Sequence, residues 1–213
     1  MALQTYSDLK TAVGDWLQRS DLVAKAPDFI ALAEADFRRQ IVMPEMETIV
    51  SISGTNPIPL PADFDSLRMI ASPGDVWETV TPITLAEFYD LPVGAGGRLQ
   101  KYAINNESLY LWPIPAVSTS LTLAYRARLP SLSDTAATNW LLADHPDAYL
   151  YGALLQAEFF GWNDERLPLI QAKLQGTVED INKAGQRKRY GGQLAAQSPV
   201  VENVGRTRYA FKW

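Results

Sequence analysis

The chain has one imidazole, His145, in the run Asp144-His145-Pro146-Asp147, and a Ser-His-Asp triad or an imidazole-based metal site would have to be built on it. The same run has a simpler reading. Proline suits the first turn of a helix, and acidic residues around it serve as caps and as partners of the helix dipole. One imidazole and two aspartates also fall short of the ligand sets that hydrolytic metal clusters use. The other acids are no better arranged. Glu34 and Asp36, two apart on a helix, point in different directions, Asp63 and Asp65 lie in a loop, and Asp164 and Glu165 occupy a helix first turn. Gly94-Ala95-Gly96-Gly97-Arg98 lacks the Lys-Ser/Thr ending of a P-loop and the strand–turn–helix setting of a dinucleotide site, so it reads as a hairpin loop. With no cysteine there is no thiolate, disulfide, zinc-finger or iron–sulfur chemistry. The residues predict no catalytic site, no metal and no cofactor.

What stands out is a surface of contact. Residues 187–213 carry Arg187, Lys188, Arg189, Arg206, Arg208 and Lys212 against Glu202 alone, whereas the whole chain has a net charge of −5. An acidic body with a basic end predicts that the end docks on something acidic. Tyr209, Phe211 and Trp213 alternate with Ala210 and Lys212, so an extended strand would carry all three rings on one face. Three rings at a chain end are not left in water without reason. The segment is expected to lie in a neighbour's groove or to add a strand to its sheet, ordering on assembly; a fold back onto its own body is the plainer alternative. Tyr102, Tyr110, Trp112 and Tyr125 could stack single-stranded nucleic acid, but their region has no dense basic lining beyond Arg98, Lys101, Arg126 and Arg128. Core or protein contacts suit them better.

The elements that must carry these residues are legible from periodicity. Thr5 or Ser7 caps a first helix with Leu9, Val13, Trp16 and Leu17 on one face; Pro27 opens a second with Phe29, Ile30, Ala33, Phe37 and Ile41, ending on Arg38 and Arg39 before Pro44. Residues 46–130 change character. Strands are predicted at 47–53, 67–71, 76–80, 102–104, 108–112 and 121–126, with a short helix at 84–89; in the last strand Leu121, Leu123 and Tyr125 face one way. After a Ser/Thr/Asp-rich loop (131–139), Pro146 opens a helix with Leu150, Ala153, Leu154, Ala157 and Phe160 inward. Gly161-Trp162-Asn163 breaks it, and Asp164 caps a final helix bearing Leu167, Ile170, Leu174, Val178 and Ile181. The fold class is α+β: a helical hairpin (1–45), an inserted small antiparallel β-domain (46–130), a second helical pair of the same bundle (131–190) and an extended C-terminal arm (191–213). The opening MALQTYSDLKTAVGDW does not read as a signal peptide, and no stretch is long and apolar enough to span a membrane.

Several segments, in order and at consistent spacing, resemble the head-to-tail adaptor (connector) proteins of short-tailed bacteriophages. They are Thr5-Tyr6-Ser7-Asp8-Leu9 with Ala12-Val13 and Trp16-Leu17; Pro27 to Ala35, followed by Phe37-Arg38-Arg39; Leu60-Pro61-Ala62-Asp63-Phe64; Tyr125 to Ser133; and Asn139-Trp140-Leu141-Leu142 with His145-Pro146-Asp147 and Tyr149 to Leu154. The resemblance covers roughly residues 5–175 and does not reach the arm. It implies a non-enzymatic virion structural protein at the neck, assembled in the host cytoplasm. Its copies would form a ring, commonly a dodecamer, beneath the portal protein. That ring would extend the channel for DNA ejection and offer a platform to tail nozzle or tail fibre proteins. A C-terminal extension would reach the portal, making Arg187, Lys188, Arg189, Arg206, Arg208, Tyr209, Phe211 and Trp213 the expected portal- or neighbour-binding residues. Double-stranded DNA would pass without specific binding, which an acidic conduit favours. The alternative from another class is a nucleic-acid-binding protein that uses the basic tail.

Overall fold

The computed structural model describes residues 3–19, 21–71, 80–92, 97–161 and 165–189. The protein is α+β. Helix α1 (Tyr6–Leu17) starts in a reciprocal cap: Asp8 N–H donates to Thr5 Oγ1 at 3.2 Å, and Thr5 N–H to Asp8 Oδ2 at 3.1 Å. Hydrogen bonding from the Thr5 side chain, helped by its backbone N–H, holds the Asp8 carboxyl below its ordinary pKa. Helix α2 (Ala26–Gln40) has Pro27 in its first turn and buries Phe29, Ile30, Ala33 and Phe37, the stripe its sequence predicts. Helix α5 (Pro146–Gly161) is buried well beyond the predicted single face, because it packs against α1, α2 and α6 at once. Gly152 is what lets α2 come so close. A Cβ at that position would stand 2.7 Å from Phe37 Cζ and 3.0 Å from Ala33 Cβ. Helix α6 (Leu167–Arg189) buries Leu174, Val178 and Ile181.

A short helix, α4 (Trp140–Asp144), precedes α5 and was not expected; Asn139 caps it by accepting from Leu142 N–H at 2.9 Å. His145 follows as its C-cap, its backbone N–H donating to the Leu141 carbonyl at 2.8 Å, so the residue with the lone imidazole stands between two helices. Two sequence-predicted inward aromatics point elsewhere: Trp16 is 50% exposed and Phe160 is also exposed, its ring resting on Phe29 at 5.7 Å.

The insert forms two sheets. Strands β1 (Glu47–Gly54), β7 (Thr119–Ala127) and β3 (Phe64–Ala71) lie in the order β1-β7-β3, antiparallel, with β7 central. The second sheet has β2 (Ile58–Pro59), β6 (Ser108–Trp112), β5 (Lys101–Asn105) and β4 (Thr81–Pro82), in the order β2-β6-β5-β4. The expectation of a wholly antiparallel domain is corrected here, because β4 pairs with β5 in parallel. Helix α3 (Leu85–Asp90) connects them. The Asn56 amide pairs with the backbone of Leu111 in both directions (2.9 and 3.3 Å), fastening the β1–β2 turn onto β6. Ile58, Ile70, Leu109, Leu111, Leu121, Leu123 and Tyr125 fill one core, and it shares no residue with the helical core. The predicted strand at 76–80 lies outside the described residues except for Val80, which is not in a strand.

Candidate assembly surfaces

Three arrangements on this frame concern contact with other molecules, and one buried network ties the loop after the insert to the bundle. The network lies where the chain re-enters the bundle after the insert. Glu34, 3% exposed on α2, accepts from Leu132 N–H at 2.8 Å and from the Tyr149 hydroxyl at 3.1 Å. Asn139 donates to the Tyr149 oxygen and to the Pro130 carbonyl, both at 2.7 Å. Burial, opposed by the Asn139 bond and reinforced by the Glu34 charge, pushes the Tyr149 phenol far above its ordinary pKa. Each polar group in this pocket has a partner, which is what burying them requires. Residues 130–139 are thereby pinned between α2 and α5. Sequence reasoning set Glu34 aside as one of a diverging acidic pair, yet its place among Ile30, Ala33 and Phe37 was the signal that it faces inward.

The first surface is a groove on the bundle. Trp16 of α1, Tyr151, Leu154 and Glu158 of α5, Arg166 in the turn before α6, and Leu169, Ile170 and Lys173 of α6 line a hollow of about 210 Å³. The Trp16 and Tyr151 rings meet edge to face at 6.5 Å. Leu169 is 68% exposed, and Arg166 Nη1 lies 3.5 Å from the buried Glu158 carboxylate. The floor is apolar and the α6 rim carries cations. Interfaces favour exposed tryptophan, tyrosine and arginine of this kind.

The second is the basic end of α6. Arg187, Lys188 and Arg189 form its last turn, where cations suit the helix dipole. Lys188 binds the Glu45 carboxylate, and Arg189 Nη2 lies 2.6 Å from Glu47 Oε1. Burial tends to raise the Glu45 pKa, but the Lys188 hydrogen bond, a backbone bond and the nearby positive charge together outweigh it, and the carboxyl sits below its ordinary value; the Lys188 bond likewise raises Lys188. Two of the three cations assigned from sequence to outside contacts therefore hold the bundle to the start of β1, while Arg187 is exposed. Asn182 adds to this seam, taking Val42 N–H at 2.9 Å and donating to the Gln40 carbonyl at 3.0 Å. Arg126 of β7 adds more, donating to the carbonyls of Ile41 (2.8 Å) and Arg38 (3.1 Å) at the end of α2. Arg206, Arg208, Tyr209, Phe211 and Trp213 lie outside the described residues, as do the Gly94–Gly96 part of the predicted hairpin loop, the Trp162-Asn163 break and the Asp164 cap.

The third surface is the solvent side of the β1-β7-β3 sheet. Ile49, Ala124 and Met69 stand in one cross-strand row there, and Ile49 is 71% exposed. The aromatics weighed for base stacking have protein partners. Tyr125 is in the core and donates to Asp63 at 2.8 Å, Tyr110 packs on Phe88, and Trp112 Nε1–H donates to the Pro92 carbonyl. Among the described residues no three His, Asp or Glu side chains gather as a metal site, and no helix is long and apolar enough to cross a membrane.

The family model described as SU10 adaptor protein matches residues 4–199. No curated protein matches the chain. The chain belongs to the SU10 adaptor protein family. It is a bacteriophage adaptor, a structural component of the virion that associates with others such as portal and tail.

Proposed function

We propose that this member of the SU10 adaptor family works as a head-to-tail adaptor, forming a ring beneath the portal that extends the DNA channel and receives the tail. The family match over residues 4–199 carries the reading. The division of labour is a bundle (1–45 and 131–190) that makes the ring, an inserted domain (46–130), and an arm (191–213) that reaches the portal. It needs no catalytic group.

A closed ring needs two different faces on each subunit. The groove on α1, α5 and α6 suits one of them, being apolar with Arg166 and Lys173 at its edge. The outer side of α2 suits the other, with exposed Leu32 beside Asp28, an apolar and acidic counterpart. The ring's copy number, a dodecamer on the family resemblance, follows from the angle between those faces. The chain's net charge of −5 suits a conduit to which duplex DNA should not adhere. On the arm, Arg206, Arg208, Tyr209, Phe211 and Trp213 are the proposed portal contacts, joined by Arg187; Lys188 and Arg189 set its starting point.

The test is loading onto the portal ring, followed by size-exclusion chromatography with mass measurement. Three chains are compared: intact, ending at Gly192, and Leu169→Glu. The intact chain is expected to load as a full ring. The shortened chain should fail to load, and Leu169→Glu should bind singly without closing the ring. Failure of the intact chain to bind the portal refutes the adaptor reading, and a salt-dependent affinity for bare DNA would then favour the nucleic-acid-binding alternative.

A further inference from the structure

Among the described residues, strand β1 has one unpaired edge. Along its full length, Glu47 to Gly54, it pairs with β7 on one side, and among the described residues no strand or backbone hydrogen bond meets the other side. Open edges are ordinarily blunted by proline, lysine, bulges or shortness. The far edge of this sheet shows such a device, since β3 has register shifts at Phe64/Ser66 and Leu67/Met69. Strand β1 has none. It is eight residues long, in unbroken register, and its sequence ETIVSISG contains neither proline nor lysine. Its core-facing Val50 and Ile52 are only half-buried, and Ile49 on the other face is exposed.

The chain leaves the described structure beside that strand. Arg189 ends α6 with its guanidinium 2.6 Å from the carboxylate of Glu47, the first residue of β1, and Lys188 holds Glu45 two residues earlier. Residues 190–213 begin there and can run the length of β1 with many residues to spare, at about 3.3 Å per extended residue. They contain a segment of matching pattern. Arg206–Trp213 is as long as β1, with Tyr209, Phe211 and Trp213 on one alternation and Arg206, Arg208, Ala210 and Lys212 on the other. Set against β1, the rings would continue the core side over Val50 and Ile52. The cations would then fall on the side of Glu47, Ser51 and Ser53. A tether that starts at the acceptor strand also gives a high local concentration.

We propose that in the free chain Arg206–Trp213 adds itself as a further strand to the open edge of β1 of the same molecule, so that the arm guards its own sheet until assembly. The idea rests on the adaptor reading only for what draws the arm away, since an arm bound to the portal must vacate this edge. It follows that loading exposes β1 for its next contact.

Hydrogen exchange on the free full-length protein tests it, with no portal present, against the full-length variant Tyr209→Ser/Phe211→Ser/Trp213→Ser. Alternate amides of Thr48–Ser53 should exchange about tenfold faster or more in the variant, whereas α5 amides should not change. The chain ending at Gly192 should reproduce that loss, and protection in the intact chain should not vary with protein concentration. Equal exchange in all three chains overturns the proposal. Protection that grows with concentration also overturns it, in favour of a neighbour's arm. Either result leaves portal loading as a separate question.

Discussion

The close approach of α2 and α5 gives a prediction whose sign can be set before measurement. Replacing a helical glycine by alanine ordinarily stabilises by about 0.5–1 kcal/mol, because the unfolded backbone loses freedom and the helix gains a better former. Gly176 on α6 has nothing within 4 Å of an added Cβ, so Gly176→Ala should show that gain undiminished. At Gly152 the same methyl meets Phe37 Cζ at 2.7 Å and Ala33 Cβ at 3.0 Å. Neither neighbour can yield cheaply. The Phe37 ring is buried and set edge-on to Tyr149 at 5.4 Å, and the Ala33 methyl moves only with the α2 backbone. Overpacking of this kind costs about 1–3 kcal/mol, which exceeds the propensity gain. The net effect of Gly152→Ala is a destabilisation of up to about 2 kcal/mol. For a chain of this size 1 kcal/mol shifts Tm by about 2–4 °C, so the two variants should melt roughly 5 °C apart on either side of the parent. Thermal and urea unfolding followed by circular dichroism provide the assay. If Gly152→Ala stabilises as much as Gly176→Ala, the helices are not in the contact described, and the reasoning fails.

Two further outcomes follow from the buried phenols. Tyr149→Phe removes one hydrogen bond from Glu34 and one from Asn139 in a buried pocket, and should lower unfolding free energy by about 1–3 kcal/mol, non-additively with Asn139→Ala; additive losses in a double-mutant cycle would argue against a shared network. Burial, with the hydrogen bond to Asp63 and its charge, raises Tyr125 to about 12, and Tyr149 is raised as well. Both phenols are favoured neutral in the fold, so their contribution is complete below the unfolded value near 10 and declines as pH climbs from about 10 towards about 12. Phenolate absorbance should show Tyr125 and Tyr149 still silent near pH 10, with stability falling over that window; ionisation of either phenol near 10 in the folded protein would contradict it.

Much of this fold could be read from residue order because local signals sufficed. A cap at Thr5, one of the two caps expected, Pro27 in a first turn, and the alternation of Leu121, Leu123 and Tyr125 each act within a few residues, and each appears in the fold. What periodicity could not say is whether a partner exists. Trp16 and Phe160 sit on the apolar stripes of their helices, yet both remain about half exposed or more among the described residues. The strand order β1-β7-β3 joins segments roughly fifty or more residues apart, and no local pattern encodes it. Helix α4 was hidden by its Ser- and Thr-rich approach, although Asn139 beside an apolar pair is a usable cap signal. Lys188 and Arg189 were read by charge alone as reaching outward, because their partners Glu45 and Glu47 lie far off in sequence. The assembly surfaces were the least legible part for the same reason: a groove arises from three helices and belongs to none of them.

The buried pocket of Glu34, Tyr149 and Asn139 has a consequence for the order of events during synthesis. Its acid is made early, on α2, while the groups that satisfy it arrive only after the whole β insert has been translated. At about 5–20 residues per second the first two helices wait on the order of ten seconds for α5. During that interval Phe29, Ile30 and Phe37 lack the α5 face they pack against, whereas β1, β3 and β7 can close on one another as soon as β7 has left the ribosome. The insert is thus the first part of the molecule able to mature, and the bundle around it the last. A nascent chain stopped before Pro146 should therefore present a finished sheet and an unfinished hairpin to the chaperones of its host.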